Sequence, residues 1–219
     1  MKMIKENKKK LILTSIVILV PIIIGLILWN KLPDKLPTHW NAEGVVDGWS
    51  SKTFAVIGLP GFLFAVHWVC LLASSADQKK QNIEGKVLNI VFWICPIISV
   101  LGSVLIYGTA LGMEFKVDKI MLALVGIMFV VVGNYLPKCK QSYTVGIKLP
   151  WTLNDEENWN RTHRLGGKLW VASGFVIFLC MFLPTSVMSA VFIIILFTAV
   201  IVPTMYSYQL YRTKEKRGE

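Results

Sequence analysis

Six apolar runs limit this chain to very few folds. They cover roughly residues 11–29, 54–74, 87–111, 120–136, 169–183 and 187–208 of a 219-residue sequence. A bilayer core about 30 Å thick takes about 20 apolar residues per helical crossing. Most of the runs have that length. Only 16% of the residues are charged, against about a quarter in soluble domains. The expected fold is therefore all-α: a polytopic membrane bundle of about six helices.

The orientation follows from charge. With the N-terminus in the cytoplasm, 18 of the 23 lysines and arginines fall in cytoplasmic segments: the N-terminal arm, the 79–86 turn, the 138–168 loop and the C-terminal tail. Only Lys31, Lys35, Lys52, Lys116 and Lys119 fall outside. This asymmetry is the positive-inside pattern, and it places both termini in the cytoplasm. The net charge of +10 thus sets topology and meets anionic lipid headgroups of the bilayer. It forms no basic domain of the kind that contacts nucleic acid directly. The first run is too long for a secretory h-region and ends in Trp-Asn, so it reads as a retained helix. Three of the four cysteines lie inside expected spans and none at close spacing, so neither a disulfide nor thiol chemistry is expected.

Between the first two spans lies NKLPDKLPTHWNAEGVVDGWSSK. Pro33 and Pro37 prevent a regular helix there, and Gly44 and Gly48 allow turns. Trp40 and Trp49 suit the headgroup level. His39, Glu43 and Asp47 fall at four-residue intervals, which would align them on one helix face as for a metal. Gly44 weakens a helix at that point and nothing resembles HExxH, so the segment reads as a compact interfacial cap without a metal. Its sensing candidates are Pro37, His39, Trp40, Asn41, Gly44 and Trp49.

His67 sits near the middle of the second span. An ionisable residue at that depth is a functional candidate. Its bland reading is a neutral imidazole bonded to a neighbouring helix, and no span offers a mid-membrane carboxylate for a proton relay. Gly108 and Gly112 form a GxxxG, read as close helix packing.

The longest polar interval runs from Gly133 to Gly167: GNYLPKCKQSYTVGIKLPWTLNDEENWNRTHRLGG. Asn154 and Glu157 fit the N-cap and N3 positions of a capping box, and Arg161 stands four residues after Glu157. Gly166-Gly167 reads as a stop or hinge. The expectation is a short amphipathic interfacial helix near 154–165, with Trp159 and His163 on one face and Trp159 toward lipid or bundle. Around it Asn134, Tyr143, Trp151, Asn158, Trp159, Arg161, Thr162, His163 and Arg164 would form a coupling network. The tail YRTKEKRGE reads as basic and frayed. No nucleophile stands beside a base and no paired catalytic carboxylates occur, so no enzyme and no cofactor are expected.

This interval resembles the signature of the SdpI family of bacterial multi-pass membrane proteins. The matching residues are Gly133–Leu136, Lys138, Tyr143, Gly146-Ile147, Pro150–Leu153, Trp159, Thr162–Arg164 and Gly166-Gly167, with departures at Ser142 and Lys148. The outside segment resembles a second bacterial membrane module that commonly precedes the SdpI part. The implied division is an N-terminal module at 1–86, with two helices and the Pro/Trp segment. An SdpI-like domain follows at 87–219, with four helices and the cytoplasmic loop 137–168. The resemblance implies a protein of the bacterial cell membrane that protects its cell against a secreted, membrane-active peptide toxin. It also implies signalling, by holding a small helix-turn-helix repressor at the membrane. The alternative class is a small transporter or channel, motivated by His67 and the Pro/Gly-interrupted spans.

Overall fold

A computed structural model describes residues 2–83 and 85–217. The chain divides into two compact units, Met1–Ala76 with Leu88–Ile120, and Asp77–Val87 with Met121–Glu219. In order come α1 (Lys2–Glu6), α2 (Lys8–Ile27), β1 (Lys35–Trp40), β2 (Val46–Ser51), a π-helical turn (Phe54–Gly58), α3 (Leu59–Ala76) and a 3-10 turn (Lys80–Asn82). Then follow α4 (Gly85–Ala110), α5 (Val117–Tyr135), a second 3-10 turn (Leu136–Lys138), α6 (Pro150–Asn154), α7 (Glu156–Cys180) and α8 (Thr185–Arg217). It is a helical, multi-pass membrane fold. Five of its helical stretches, among the described residues, are long and apolar enough to cross a bilayer. The sixth expected span is the second half of α7, where only 169–180 is apolar helix.

In the first unit, the expected compact cap is a β-hairpin. Lys35 pairs with Ser51 and Trp40 with Val46 in antiparallel register. The Asn41 side chain accepts the Glu43 and Val45 N–H groups at 3.1 and 2.9 Å, and Gly44 takes a φ of +76°. Only glycine adopts that conformation cheaply. The hairpin seats Leu32 and Leu36 against Ala55, Val56, Ile106 and Tyr107. The helix that would align His39, Glu43 and Asp47 does not form, and His39 and Asp47 sit on opposite strands. His39 Nδ1 and Asp47 Oδ1 are 2.5 Å apart, and Glu43 lies in the turn. Among the described residues no three His, Cys, Asp or Glu side chains converge as metal ligands would.

Helix α4 ties itself to α2 through hydroxyl donors. Ser99 Oγ donates to the Ile18 carbonyl at 2.8 Å and Tyr107 Oη to that of Pro21 at 3.1 Å. The Gly108/Gly112 pair does not pack helices. Gly112, at φ +87°, terminates α4 as the Met113 and Gly112 N–H groups return to Gly108 and Thr109 carbonyls at 2.9 and 3.1 Å. A Cβ on Gly108 would strike the Phe115 ring instead.

In the second unit, close helix packing comes from glycines not singled out for it. A Cβ on Gly133 would lie 2.9 Å from the Gly167 carbonyl oxygen, and one on Gly167 would lie 2.7 Å from the Gly133 oxygen. Gly126 and Gly174 repeat this reciprocal approach seven residues away on each helix. Backbones of α5 and α7 therefore touch at two levels, where Cα–H···O contacts become available. This corrects Gly166-Gly167 as a stop or hinge. Both sit inside a continuous α7, where packing outweighs their intrinsic cost of about 1 kcal/mol each. The C-terminal tail is likewise helical to Arg217 rather than frayed, held through Lys214; residues 218 and 219 lie outside the described chain.

Around α8 a core forms from Leu122, Phe129, Ile177, Cys180, Met188, Ile195 and Ala199. Pro203 has no N–H to give the Ala199 carbonyl, and the Trp170 indole donates to it at 3.1 Å. Trp170 also stacks on Phe129, with ring centroids 4.7 Å apart.

Gly167→Ala should lower the thermal stability of the detergent-solubilised protein by about 1–3 kcal/mol, the range for forced overpacking. Gly102→Ala, facing open space, should leave it equal or slightly higher. Thermal unfolding followed by circular dichroism distinguishes the two.

Candidate functional site

The second unit carries a buried polar core where α6, α7, α8 and the 139–149 loop meet. It starts at the N-terminus of α7. Asp155, not Asn154, is the cap: its carboxylate accepts the Glu157 and Asn158 N–H groups at 2.9 and 3.1 Å. Asp155 wins because Pro150 has already started a separate turn, α6, that uses Asn154 as its last residue. Burial pushes the Asp155 carboxyl up, but Lys214 at 2.9 Å and the two N–H donors outweigh it and hold it below the usual range. Lys214 also reaches Glu157 at 2.8 Å, and Glu157 pairs with Arg161 at 2.9 Å, as its i,i+4 spacing predicts.

One turn on, Asn158 is only 1% exposed. Its Nδ2 donates to the Ser207 carbonyl at 2.9 Å, and its Oδ1 accepts from Thr162 Oγ1 at 3.0 Å and Ser207 Oγ at 2.8 Å. Ser207 Oγ in turn accepts from the Trp151 indole at 2.8 Å. Trp151 stacks on Tyr211 and tilts against Tyr208. A buried amide left unpaired would cost on the order of 1–3 kcal/mol per group, so this set orders α7 against α8.

The next pair anchors the loop. Trp159, expected toward lipid or bundle, is fully buried in the bundle, and its indole donates to the Cys139 carbonyl at 2.7 Å. His163 Nδ1–H donates to the Trp159 carbonyl at 2.8 Å, and its Nε2 accepts the Ile147 N–H at 2.9 Å. That pattern assigns the neutral Nδ1–H tautomer. Its ring stacks on Trp159 with centroids 4.0 Å apart. Gly146 lies against the stack at φ +118°, where a Cβ would come within 2.6 Å of His163 Nε2. Burial pushes the His163 imidazole down to about 4.

The loop has a second anchor that the sequence reading overlooked. Asp77 is 5% exposed. Its Oδ2 accepts the Tyr143 and Thr144 N–H groups, both at 2.9 Å, and the Thr144 hydroxyl at 2.8 Å. Its Oδ1 accepts the Lys79 N–H at 2.8 Å. Gln141 completes the staple: it bonds to Lys79, takes a bond from Asn82 Nδ2 to its carbonyl at 2.7 Å, and donates to the Thr152 carbonyl at 2.7 Å. The available signal was Asp at the end of an apolar helix, followed by a turn rich in Gln, Lys and Asn.

Of the expected network, Trp151, Asn158, Trp159, Thr162 and His163 come together. Tyr143 joins through its backbone, with Lys79 over its ring at 5.7 Å, while the ring itself stays half-exposed. Arg161 holds only its surface ion pair. Asn134 and Arg164 fall outside the network. Both are exposed, because the polar face of each helix turns away from the core at those positions. Among the described residues neither has a hydrogen bond or ion pair.

The other candidates lie in the first unit. Pro37 is buried and Trp40 half-buried, whereas Trp49 is 58% exposed. His67 is fully buried, with Nε2 3.0 Å from Thr14 Oγ1 and Phe92 edge-on. Its Nδ1 has no partner among the described residues.

His163 makes acid stability testable. Its folded pKa lies below its ordinary 6.5, so the unfolded chain takes up the proton first. Stability should be complete above about pH 6.5 and fall through the window down to about 4, by roughly 3 kcal/mol at most. Thermal melts of His163→Gln should lack that limb. Separately, Asp77→Ala should release the Tyr143 and Thr144 amides to fast hydrogen exchange while the α7 amides stay protected.

Residues 138–207, which hold this core, match the SdpI/YfhL protein family. Residues 16–64, with the hairpin, match a domain of unknown function, DUF1648. The chain is 26% identical over 212 residues to Immunity protein SdpI of Bacillus subtilis (strain 168), covering 93% of this chain and 97% of that protein. No solved structure matches. The signature interval folded into the polar core thus lies mostly within the stretch that is similar to the SdpI/YfhL family, and the likeness to Immunity protein SdpI runs nearly end to end.

Proposed function

We propose that this protein is an immunity protein of the bacterial cell membrane, protecting the producing cell against a secreted, membrane-active peptide toxin. The observation that carries this reading is the likeness to Immunity protein SdpI over 93% of the chain. In this reading six helices cross the membrane and both termini lie in the cytoplasm. The hairpin faces outward and meets the toxin through Trp49 and its neighbours. The core around Asn158 and His163 faces the cytoplasm and presents the surface on which a small helix-turn-helix repressor is held. The function requires two arrangements of the helices that toxin binds unequally. It requires no catalysis, and the polar groups of the core are committed to one another rather than to a reacting atom.

Deletion of the gene should sensitise cells to the secreted fraction of a toxin-producing culture, with protection restored by a plasmid copy. Unchanged survival refutes immunity. Asn158→Ala, which strips the α7–α8 bonds, should reduce protection at equal membrane abundance more than His39→Ala does. The orientation is checked by membrane-impermeant maleimide on Val45→Cys and Asn160→Cys, which should label from opposite compartments.

One observation favours a transporter instead: His67, with a buried ring nitrogen that has no partner among the described residues. That reading requires substrate flux in reconstituted vesicles that His67→Ala abolishes, whereas an immunity protein gives none.

A further inference from the structure

In the signature triplet Thr162-His163-Arg164, the first two side chains are consumed inside the core. The third is exposed and, among the described residues, bonds to nothing. Lys168, one turn further, is likewise exposed and unpaired among the described residues. Arg161 stands one turn before, holding one exposed carboxylate. Positions spaced three and four apart share a helix face, so these three cations form one stripe along α7.

The same face continues past Lys168 without a break. Its next exposed residues are Ala172, Phe175 and Leu179, and Phe175 and Leu179 are 58% and 64% exposed. One uncovered strip of helix thus changes from basic to apolar at 168/169. That is the profile of a surface lying along a lipid, with cations at the phosphate and hydrocarbon beyond it.

Length adds a second, independent reason. Residues 169–180 rise only about 18 Å as a helix. Counting on to Leu183 gives about 22 Å, still short of a hydrocarbon core of about 30 Å. A crossing that short draws its flanking charges to the level of the headgroups and thins the bilayer beside them. Lys168 and Arg164 are then held where phosphates are the nearest counter-charges. A guanidinium binds phosphate through two parallel N–H bonds, which a lysine cannot match.

We propose that the Arg161–Arg164–Lys168 stripe of α7 is a binding site for an anionic phospholipid, with the phosphate at Arg164 and Lys168 and an acyl chain along Phe175 and Leu179. The site is distinct from the general attraction of basic segments to a negative leaflet, because it joins specific donors to a specific apolar track. It also stands independently of the immunity reading.

Native mass spectrometry of the full-length protein, released from nanodiscs of equal phosphatidylglycerol and phosphatidylcholine, provides the test. The protein should retain phosphatidylglycerol in preference to phosphatidylcholine. Arg164→Gln with Lys168→Gln should cut that retention by about thirty-fold, from roughly five-fold per basic residue near an anionic surface. Lys8→Gln with Lys9→Gln removes the same charge from the exposed start of α2, where no apolar track adjoins an arginine, and should lower retention far less. Equal losses in the two double variants would reduce the effect to bulk charge and overturn the site. Absence of a phosphatidylglycerol preference would overturn it too. So would displacement of the lipid by polyglutamate at matched charge, which would give the stripe to an acidic protein.

Discussion

A single carboxamide, buried in a helix interface, ties α7 to α8 in the second unit. Asn158 meets three demands at once, with both its oxygen and its nitrogen engaged. In an apolar surrounding no water replaces a lost partner, so a half-satisfied amide is worse than a hydrophobic one. The Trp151–Ser207 bond, the register of α8 against α7 and the position of α6 all follow from satisfying it. The glycine approaches at Gly133/Gly167 and Gly126/Gly174 bring α5 close enough for α7 to be fixed on a second side. One helix thus acts as the mast of the unit, gripped by backbone contact on one flank and by hydrogen bonds on the other.

The 139–149 loop shows how a segment without regular structure becomes fixed. Its carbonyls and amides are claimed in turn by Trp159, His163, Thr152, Ser142 and Asp77. An uncovered polar backbone is costly where burial is deep, and these bonds satisfy the groups that they reach. The interval therefore keeps one conformation through side chains drawn from α6, α7 and the 77–83 turn, without forming a helix or strand of its own.

How much of this was legible in the sequence depended on the range of the interaction. Apolar runs are local sums, and five of the six expected spans coincide with helices long and apolar enough to cross a bilayer. The pair Glu157–Arg161 is local as well, and it forms as the spacing predicts. The N-cap was misassigned by one residue because Pro150 starts a turn that competes for Asn154. The strands of the cap were not legible because Pro37 and two glycines mark turns without showing that Asn41 and Gly44 close a hairpin. Asp77 was overlooked because its partners lie 66 and 67 residues away. Arg164 was overcounted because a helix carries both a buried and an exposed face through one motif, and composition does not separate them. Gly166-Gly167 looked like a break because propensity is judged one helix at a time, whereas their use lies in the neighbour.

Pro203 and Trp170 tie two helices of the bundle together through one exchanged hydrogen bond. The proline leaves a carbonyl without its own-helix donor, and an indole from another helix supplies the missing hydrogen. Neither residue is at its best without the other. An ordinary amide at 203 would compete with the indole for that carbonyl, and a shorter side chain at 170 would leave the carbonyl without a donor. The two positions therefore depend on each other energetically, though they stand 33 places apart on different helices.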